Sequence, residues 1–383
     1  MRFILFFISF SISGLVYSEN STNFILLKNN SDITMNVSTY IQTRFELGNL
    51  YSVENNDLSN SFDAYFRRAR IGFSGNLFYP NLTYGFTFAG DDSIQSEIFS
   101  AYDASSTVML SDIFLNYKIN DKLNLKFGKD KLPFSRVYLV SSSKQLFSER
   151  PYYTYLWSDY INGYTYPNIS LNGNIFKNQI NYYFAVGQSW RNGDKYGDSE
   201  YTVKNADPQV TLRLEWSPPG LNEKSKSDSN IGKGEHLSVG VYNSLQDNIS
   251  LENKVSNTFE NSSTQIYGID FSYHHNNFFI SSEYNFMKKN ISNNFDKNSD
   301  SFYFQTGYYL PGYKIEPAFR YERIDSDGSL DVFSLGLNKY FKQQNLKVTL
   351  DGEYGLYSGN FNLLKPKNEN SRKIIRLTGQ FMF

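Results

Sequence analysis

Residues 33–47 read Ile-Thr-Met-Asn-Val-Ser-Thr-Tyr-Ile-Gln-Thr-Arg-Phe-Glu-Leu. Ile33, Met35, Val37, Thr39, Ile41, Thr43, Phe45 and Leu47 fall in one phase. Thr34, Asn36, Ser38, Tyr40, Gln42, Arg44 and Glu46 fall in the other. A period of two is the mark of an extended strand with one apolar and one polar face. The pattern recurs. Ala69, Ile71, Phe73 and Leu77 alternate with Arg68, Arg70, Gly72 and Asn76. Leu82, Tyr84, Phe86 and Phe88 alternate with Thr83, Gly85, Thr87 and Ala89. Near the C-terminus, Ile375, Leu377, Phe381 and Phe383 alternate with Arg376, Thr378, Gln380 and Met382.

Composition agrees with dispersed apolar residues rather than apolar runs. The chain of 383 residues holds 33 Phe, 31 Tyr and 3 Trp, yet only 40% of it is hydrophobic. Its mean hydropathy is -0.48. A helical membrane protein, which needs about 20 consecutive apolar residues per span, is excluded. So is a disordered chain, which is poor in aromatics. With no Cys, thiol chemistry, disulfides and Cys-ligated metals are excluded. The three His (His236, His274 and His275) are too few and too scattered for a His-rich metal site, and no cofactor motif is present. A formal charge of -1 gives no basic footprint for nucleic acid. Catalysis is not expected, because no histidine shares a level with an obvious nucleophile.

Met1-Arg2 followed by the largely apolar stretch 3–16 reads as a signal peptide, with cleavage expected after Ser18. Residues 19–32 read as a short periplasmic segment and 33–383 as the barrel domain. The alternation predicts strands at 33–47, 62–78, 82–91, 108–119, 122–130, 166–176, 179–190, 209–216, 237–246, 263–274, 278–288, 301–310, 314–325, 330–340, 346–357 and 372–383. Short turns such as 79–81, 120–121, 177–178, 275–276 and 311–312 alternate with longer polar stretches at 48–61, 92–107, 131–165, 191–207, 247–262, 289–300 and 358–371. That rhythm predicts an all-β, transmembrane, antiparallel up-and-down barrel of about sixteen strands, with both termini in the periplasm. The gap 217–236 is too long for an ordinary turn and could hide a hairpin. Aromatics at strand ends (Phe78-Tyr79, Tyr308-Tyr309, Tyr313, Tyr340-Phe341, Phe381 and Phe383) read as membrane-interface girdles. A soluble β-sandwich would alternate too, but without the short-long rhythm.

The longest polar stretch, 131–165, is unusually rich in apolar and small residues, as suits a loop packed against an inner barrel wall. Phe127-Gly128-Lys129 running into Leu132-Pro133-Phe134-Ser135, then Ser141-Ser142, then Phe147-Ser148-Glu149-Arg150, resembles the loop signature of the phosphate-selective porin O and P family. Arg67-Arg68-Ala69-Arg70-Ile71-Gly72-Phe73-Ser74-Gly75 and Leu335-Gly336-Leu337-Asn338-Lys339-Tyr340 are similar to other segments of that family. The resemblance implies a trimeric outer-membrane porin with its third extracellular loop in the pore and inward Arg and Lys that pass anions. It leaves the solute open. The terminal Phe383 resembles the signal read by barrel-assembly machinery in this class, and the surroundings implied are outer-membrane lipid and lipopolysaccharide.

By phase, the inward basic residues are Arg44, Arg68, Arg70, Lys126, Arg213, Arg320, Lys347 and Arg376. The inward acids are Asp112, Glu215, Glu283, Glu316, Glu322, Asp351 and Glu353. Barrel closure places Arg376, Arg44 and the Arg68/Arg70 pair on three consecutive strands, and Arg136, Lys144 and Arg150 stand on the loop opposite. A ring of permanent cations is a way to select anions. The expected function is an anion-leaning passive diffusion channel for small hydrophilic solutes. The alternatives are a non-selective or neutral-solute porin and, from another class, a surface adhesin or structural barrel with no open channel.

Overall fold

An amphipathic sheet in lipid has to close on itself, because an edge strand would leave backbone N–H and C=O groups without partners. The computed structural model shows that closure. It describes residues 24–29, 33–49, 61–91, 108–157, 160–161, 165–196, 201–223, 225–229, 231–291, 295–361, 365 and 370–383. The signal-peptide reading falls outside these residues. Sixteen antiparallel strands form the barrel: β1 Ile33–Gly48, β2 Ser61–Leu77, β3 Tyr79–Asp91, β4 Met109–Asn120, β5 Leu123–Asp130, β6 Tyr166–Ile175, β7 Ile180–Gly187, β8 Gln209–Trp216, β9 His236–Asn253, β10 Phe259–His275, β11 Phe278–Ile291, β12 Phe295–Tyr308, β13 Ile315–Asp325, β14 Gly328–Lys342, β15 Leu346–Gly359 and β16 Ser371–Met382. Neighbours in sequence pair throughout, and β16 closes on β1, from Ile374 opposite Gly48 to Met382 opposite Tyr40.

All sixteen expected strands are present. Two expected loops are mostly strand. Of 247–262, only 254–258 separates β9 from β10, and β11 and β12 run through most of 289–300. In β9 a bulge between Gln246 and Ile249 breaks the phase, and Ile249 and Leu251 beyond it are buried against Trp190, Tyr196 and Val203, so the alternation that marks the lipid face lapses while the backbone ladder continues. The gap 217–236 contains no strand among its described residues before His236, which opens β9. Three short strands lie outside the barrel count. Phe24–Asn29 folds back on the start of β1, and Lys195–Tyr196 pairs with Tyr201–Asn205, which also extends the end of β9.

Burial follows the phase read from the sequence. In β1, Phe45 and Leu47 are exposed on the outer wall while Gln42, Arg44 and Glu46 are buried inside. The aromatic girdle is only partly as expected. Phe78, Tyr79, Tyr308, Tyr313, Phe341, Phe381 and Phe383 are exposed, but Tyr309 and Tyr340 point inward and are buried. Tyr340 Oη donates to Glu316 Oε2 at 2.5 Å, which accounts for a tyrosine on the polar face.

Candidate functional site

The polar phase of the strands carries the candidate site, and two connecting segments make contacts with it. The first feature is a bulge. Gln42 of β1 faces Arg68 of β2, but the next pair is Thr43 with Phe66, so Arg67 has no opposite residue. Phe66 and Ala69 are both exposed on the outer face, while Arg67 is half-buried and Arg68 buried. An extra residue in one strand lets two consecutive side chains share a face. Strict alternation assigns Arg67 to lipid, and so misses it. An Arg on the lipid phase, costing about 2–4 kcal/mol at mid-membrane, was the available signal.

The loop after β5 meets these arginines. Arg44 Nη1 donates to Glu149 Oε1 at 2.5 Å, Arg67 Nε donates to the same oxygen at 2.6 Å, and Arg68 Nη2 lies 3.8 Å from Oε2. Burial opposes the charge on Glu149. Arg67, Arg44 and Arg68 outweigh it and hold the carboxyl well below the usual range. Arg44 Nη2 also donates to Ser148 O at 2.8 Å, and Arg68 donates to Gln42 Oε1. The loop then touches every strand from β8 to β16. Arg213 donates to Phe134 O, and Asp270 accepts from the Arg136 amide. Phe134 packs on Tyr242, with ring centroids 5.9 Å apart. Ser135 donates to Glu283, Tyr153 stacks on Tyr303, and Arg320 donates to Glu149 O. Asn338, Lys347 and Gln380 donate to the carbonyls of Leu146, Gln145 and Ser143. Loop residues Leu132, Phe134, Tyr138, Tyr153, Trp157 and Tyr160 are almost wholly buried together.

The structure therefore sorts the expected basic residues. Arg44, Arg68 and Arg376 do lie on adjacent strands, but each is buried against acids or amides. Arg376 holds Glu46 at 2.8 Å and Glu353 at 2.8 Å. Arg213 and Arg320 are likewise paired, with Asp270 and Glu322. Arg136 is fully buried, and Arg150 donates to the carbonyls of Val137 and Val140 rather than to Glu149. Lys126 pairs with Asp130 and lies 3.9 Å from the Phe114 ring centroid. Lys144 reaches Ser225 Oγ at 2.7 Å. Arg70 is half-buried, its guanidinium carbon 6.0 Å from the centroid of Tyr40.

The loop contacts above leave out β3–β7. The inner face there mixes small residues (Gly85 and Ala89 on β3, Gly128 on β5) with Phe114 on β4 and Lys126 on β5, while Tyr166 on β6 and Ala185 on β7 are buried with the loop's apolar cluster. Where the loop leaves β5, Lys131 has Arg150 and Arg70 as cationic neighbours and Asp112 and Asp130 as anionic ones. Burial, reinforced by the two arginines, pushes the Lys131 amine down to about 7.

The second segment lies in the gap 217–236, too long for an ordinary turn, where the sequence leaves room for a hairpin. It packs on the loop. Arg136 Nη2 donates to Glu223 Oε1 at 2.8 Å and to Ser227 O at 2.8 Å, and Nη1 to Asp228 Oδ1 at 2.9 Å. The Asp228 amide donates to Lys144 O at 2.9 Å. Burial disfavours charge on Glu223, but Arg136 and Lys226 bring its carboxyl down to about 2. One histidine departs from expectation. His236 Nε2 lies 2.7 Å from Ser272 Oγ, so it does share a level with a hydroxyl. Its other ring nitrogen faces His274 rather than a carboxylate, and both Ser272 and His236 are buried, so no Ser-His-acid arrangement results.

A model of the phosphate-selective porin O and P family matches residues 37–383. An uncharacterised protein of Aquifex aeolicus (strain VF5) is 27% identical over 375 residues, spanning 91% of this chain and 87% of that one. Among solved structures, an anion-selective porin from Comamonas acidovorans superposes with a TM-score of 0.66 at 13% identity, covering 92% of this chain and 100% of that one. The outer-membrane channel DcaP of Acinetobacter baumannii superposes with a TM-score of 0.59 at 11% identity, covering 93% and 99%. OmpT of Vibrio cholerae gives 0.59 at 12% identity, covering 94% and 100%. At such identities the likeness is one of fold.

Proposed function

Because the chain belongs to the phosphate-selective porin O and P family, and is on that ground an outer-membrane porin channel, we propose that it passes small hydrophilic solutes by diffusion with a preference for anions. The described part of the loop, 131–157, lies within the lumen and narrows it. Solutes pass between that loop and the wall of β3–β5. The observation that carries the preference is the convergence of Arg70, Lys131 and Arg150 at the start of the loop, with Lys126 close by. These four cations face two acids, Asp112 and Asp130. Charges in a narrow, partly desolvated passage act at lower effective dielectric than in bulk water. Arg44, Arg68, Arg136, Lys144 and Arg376 act instead by holding the lumen's packing in place.

Changing Arg70 and Lys131 together to Gln removes two charges and keeps polar side chains of related length. The reversal potential in a salt gradient should move toward cations, most at low ionic strength where screening is weak. An unchanged reversal potential with conductance intact would favour a neutral-solute pore, for which the amide-lined stretch Asn116–Thr83 and Asn124–Asn172 already offers hydrogen-bonding partners. Absence of conductance would favour a closed structural barrel or adhesin. The same reading sets a pH dependence. Lys131 is charged below its value of about 7 and neutral above it. Anion preference should therefore fall as pH rises from about 6 to about 8, and in Lys131→Gln that fall should vanish.

The chain is exported by a signal peptide cleaved after Ser18, and its terminal Phe383 is read by barrel-assembly machinery. It sits as a homotrimer among outer-membrane lipid and lipopolysaccharide. Vibrio OmpT, at 12% identity, has been solved in a trimer form.

A further inference from the structure

The passage beside the loop has a second kind of lining toward the end that carries the termini. On β14–β16 the inward residues of that end, Asn338, Lys347, Thr378 and Gln380, are buried. On β3–β6 the inward residues of the same end are only half-buried: Thr83, Asn116, Asn124 and Asn172. Register sets them side by side. Thr83 faces Asn116, Asn116 faces Lys126, and Asn124, the inward position before Lys126 on β5, faces Asn172. Asn116 Nδ2 donates to Thr83 Oγ1 at 3.2 Å, and Asn124 Nδ2 donates to Asn172 Oδ1 at 3.3 Å. The strip crosses four strands, about 14 Å at the usual strand spacing. Asn is disfavoured in strands, so three at neighbouring inward positions point to what they face rather than to the sheet.

An amide carries two donor hydrogens and two acceptor lone pairs, and each contact above takes one of them. The strip therefore presents donors and acceptors together, which is also what a hydroxyl presents. A solute hydroxyl can take the place of a water there and keep both kinds of hydrogen bond. A methylene cannot, and the displaced water's bonds are then lost. The two lysines in these rows are each paired with an acid, Lys118 with Asp121 and Lys126 with Asp130. The strip is thus neutral as a whole. Lys126 also lies against the Phe114 ring, which is seated on Gly85, where a Cβ would stand 2.6 Å from Phe114 Cζ. Asp130 in turn neighbours Lys131, so the strip adjoins the cations at the start of the loop.

We propose that this strip is a hydroxyl-binding subsite, and that the solute the pore favours is a small polyhydroxylated anion of the sugar-acid class, with its carboxylate at Arg70, Lys131 and Arg150 and its hydroxyls on Asn116, Asn124 and Asn172. This rests on the anion preference proposed above.

The test is block of chloride current through the full-length protein in planar bilayers. Gluconate should halve the current at a concentration about tenfold below that needed of hexanoate, which has the same carbon chain and carboxylate without the hydroxyls. Glucose, hydroxylated but uncharged, should also need about tenfold more than gluconate. Asn116→Leu/Asn124→Leu keeps side-chain size and removes the donors and acceptors. It should raise the gluconate concentration about tenfold and the hexanoate concentration less than about twofold. Asn172→Leu alone, with a rise of about threefold for gluconate, guards against a double variant that fails to assemble. Equal block by gluconate and hexanoate in wild type overturns the proposal without any variant. So does a gluconate advantage that an assembled Asn variant leaves unchanged. Equal block by glucose overturns the pairing of hydroxyls with charge. The anion preference is judged separately. A reversal potential unmoved in Arg70→Gln/Lys131→Gln removes that preference, while a gluconate advantage over hexanoate that the Asn variant abolishes still upholds the hydroxyl subsite. If the protein conducts nothing, the channel reading fails, and calorimetric titration with gluconate decides the subsite: binding that the Asn variant weakens upholds it, and binding that the variant leaves unchanged overturns it.

Discussion

Deleting Ser141–Phe147 should raise single-channel conductance several-fold, with the barrel still β-rich and resistant to dodecyl sulfate until heated. The stretch runs against the inner wall near the end that carries the termini. Its carbonyls at Ser143, Gln145 and Leu146 accept from Gln380, Lys347 and Asn338, and Leu146 and Phe147 pack with Phe279 and Ala318. These contacts seat the loop but do not close the barrel, whose ladder from β16 to β1 is formed without it. Removing the stretch leaves three polar side chains facing a wet lumen, where water takes over their hydrogen bonds at a net cost of about 1 kcal/mol each. Large effects on conductance and small effects on assembly should therefore separate cleanly. Unchanged conductance in a heat-modifiable barrel, together with cleavage of the wild-type stretch by protease on intact cells, would place the loop outside the pore.

Much of this architecture is legible in the chain because a barrel strand obeys one strong constraint. Every second side chain meets lipid, so phase alone locates Phe45 outside and Arg44 inside. The short-long rhythm of the connections adds the topology. What was not legible lies where that constraint lapses. A single bulged residue between Phe66 and Arg68 moves Arg67 indoors, and a period-two reading has no term for an inserted residue. A bulge in β9, with Ile249 and Leu251 buried beyond it, breaks the alternation without breaking the ladder. The partners of inward charges depend on segments that carry no period. Arg44 looked like a free selectivity group until Glu149 of the loop was placed against it. Arg136 reads from the sequence as part of a pore wall, and it is Glu223 and Asp228, from a gap too long for an ordinary turn, that neutralise it. Phase says which way a charge points, and only the packing of the loops says whether it is neutralised.

That distinction sets the second large effect, at Glu149. Glu149→Gln should loosen the loop and shift selectivity toward anions in one step. The carboxylate is the shared counter-ion of Arg44, Arg67 and Arg68, and its side chain is only 3% exposed. Removing one partner of a buried ion pair costs about 3–5 kcal/mol, because the charges left behind are neither solvated nor matched. Here three guanidiniums are left behind, and relief comes by letting the loop withdraw and water enter. The loop should become susceptible to protease, and the reversal potential should move toward anions as positive charge gains access to the passage. Glu149→Asp, one methylene shorter, should recover part of the protection. The pH dependence has a definite sign. The folded-state value lies below the unfolded one, so the stability this group contributes is present above the ordinary carboxylate range and is lost only as pH falls through the depressed value. Wild type should hold its loop through mild acid, while the Gln variant shows the loosened state at every pH. Should the Gln variant keep both its protease resistance and its reversal potential, Tyr155 Oη, 3.2 Å from Oε2, and the carbonyl contacts of Ser148 and Glu149 would suffice to seat the loop. The three-arginine clamp would then be an accompaniment of the fold rather than its cause.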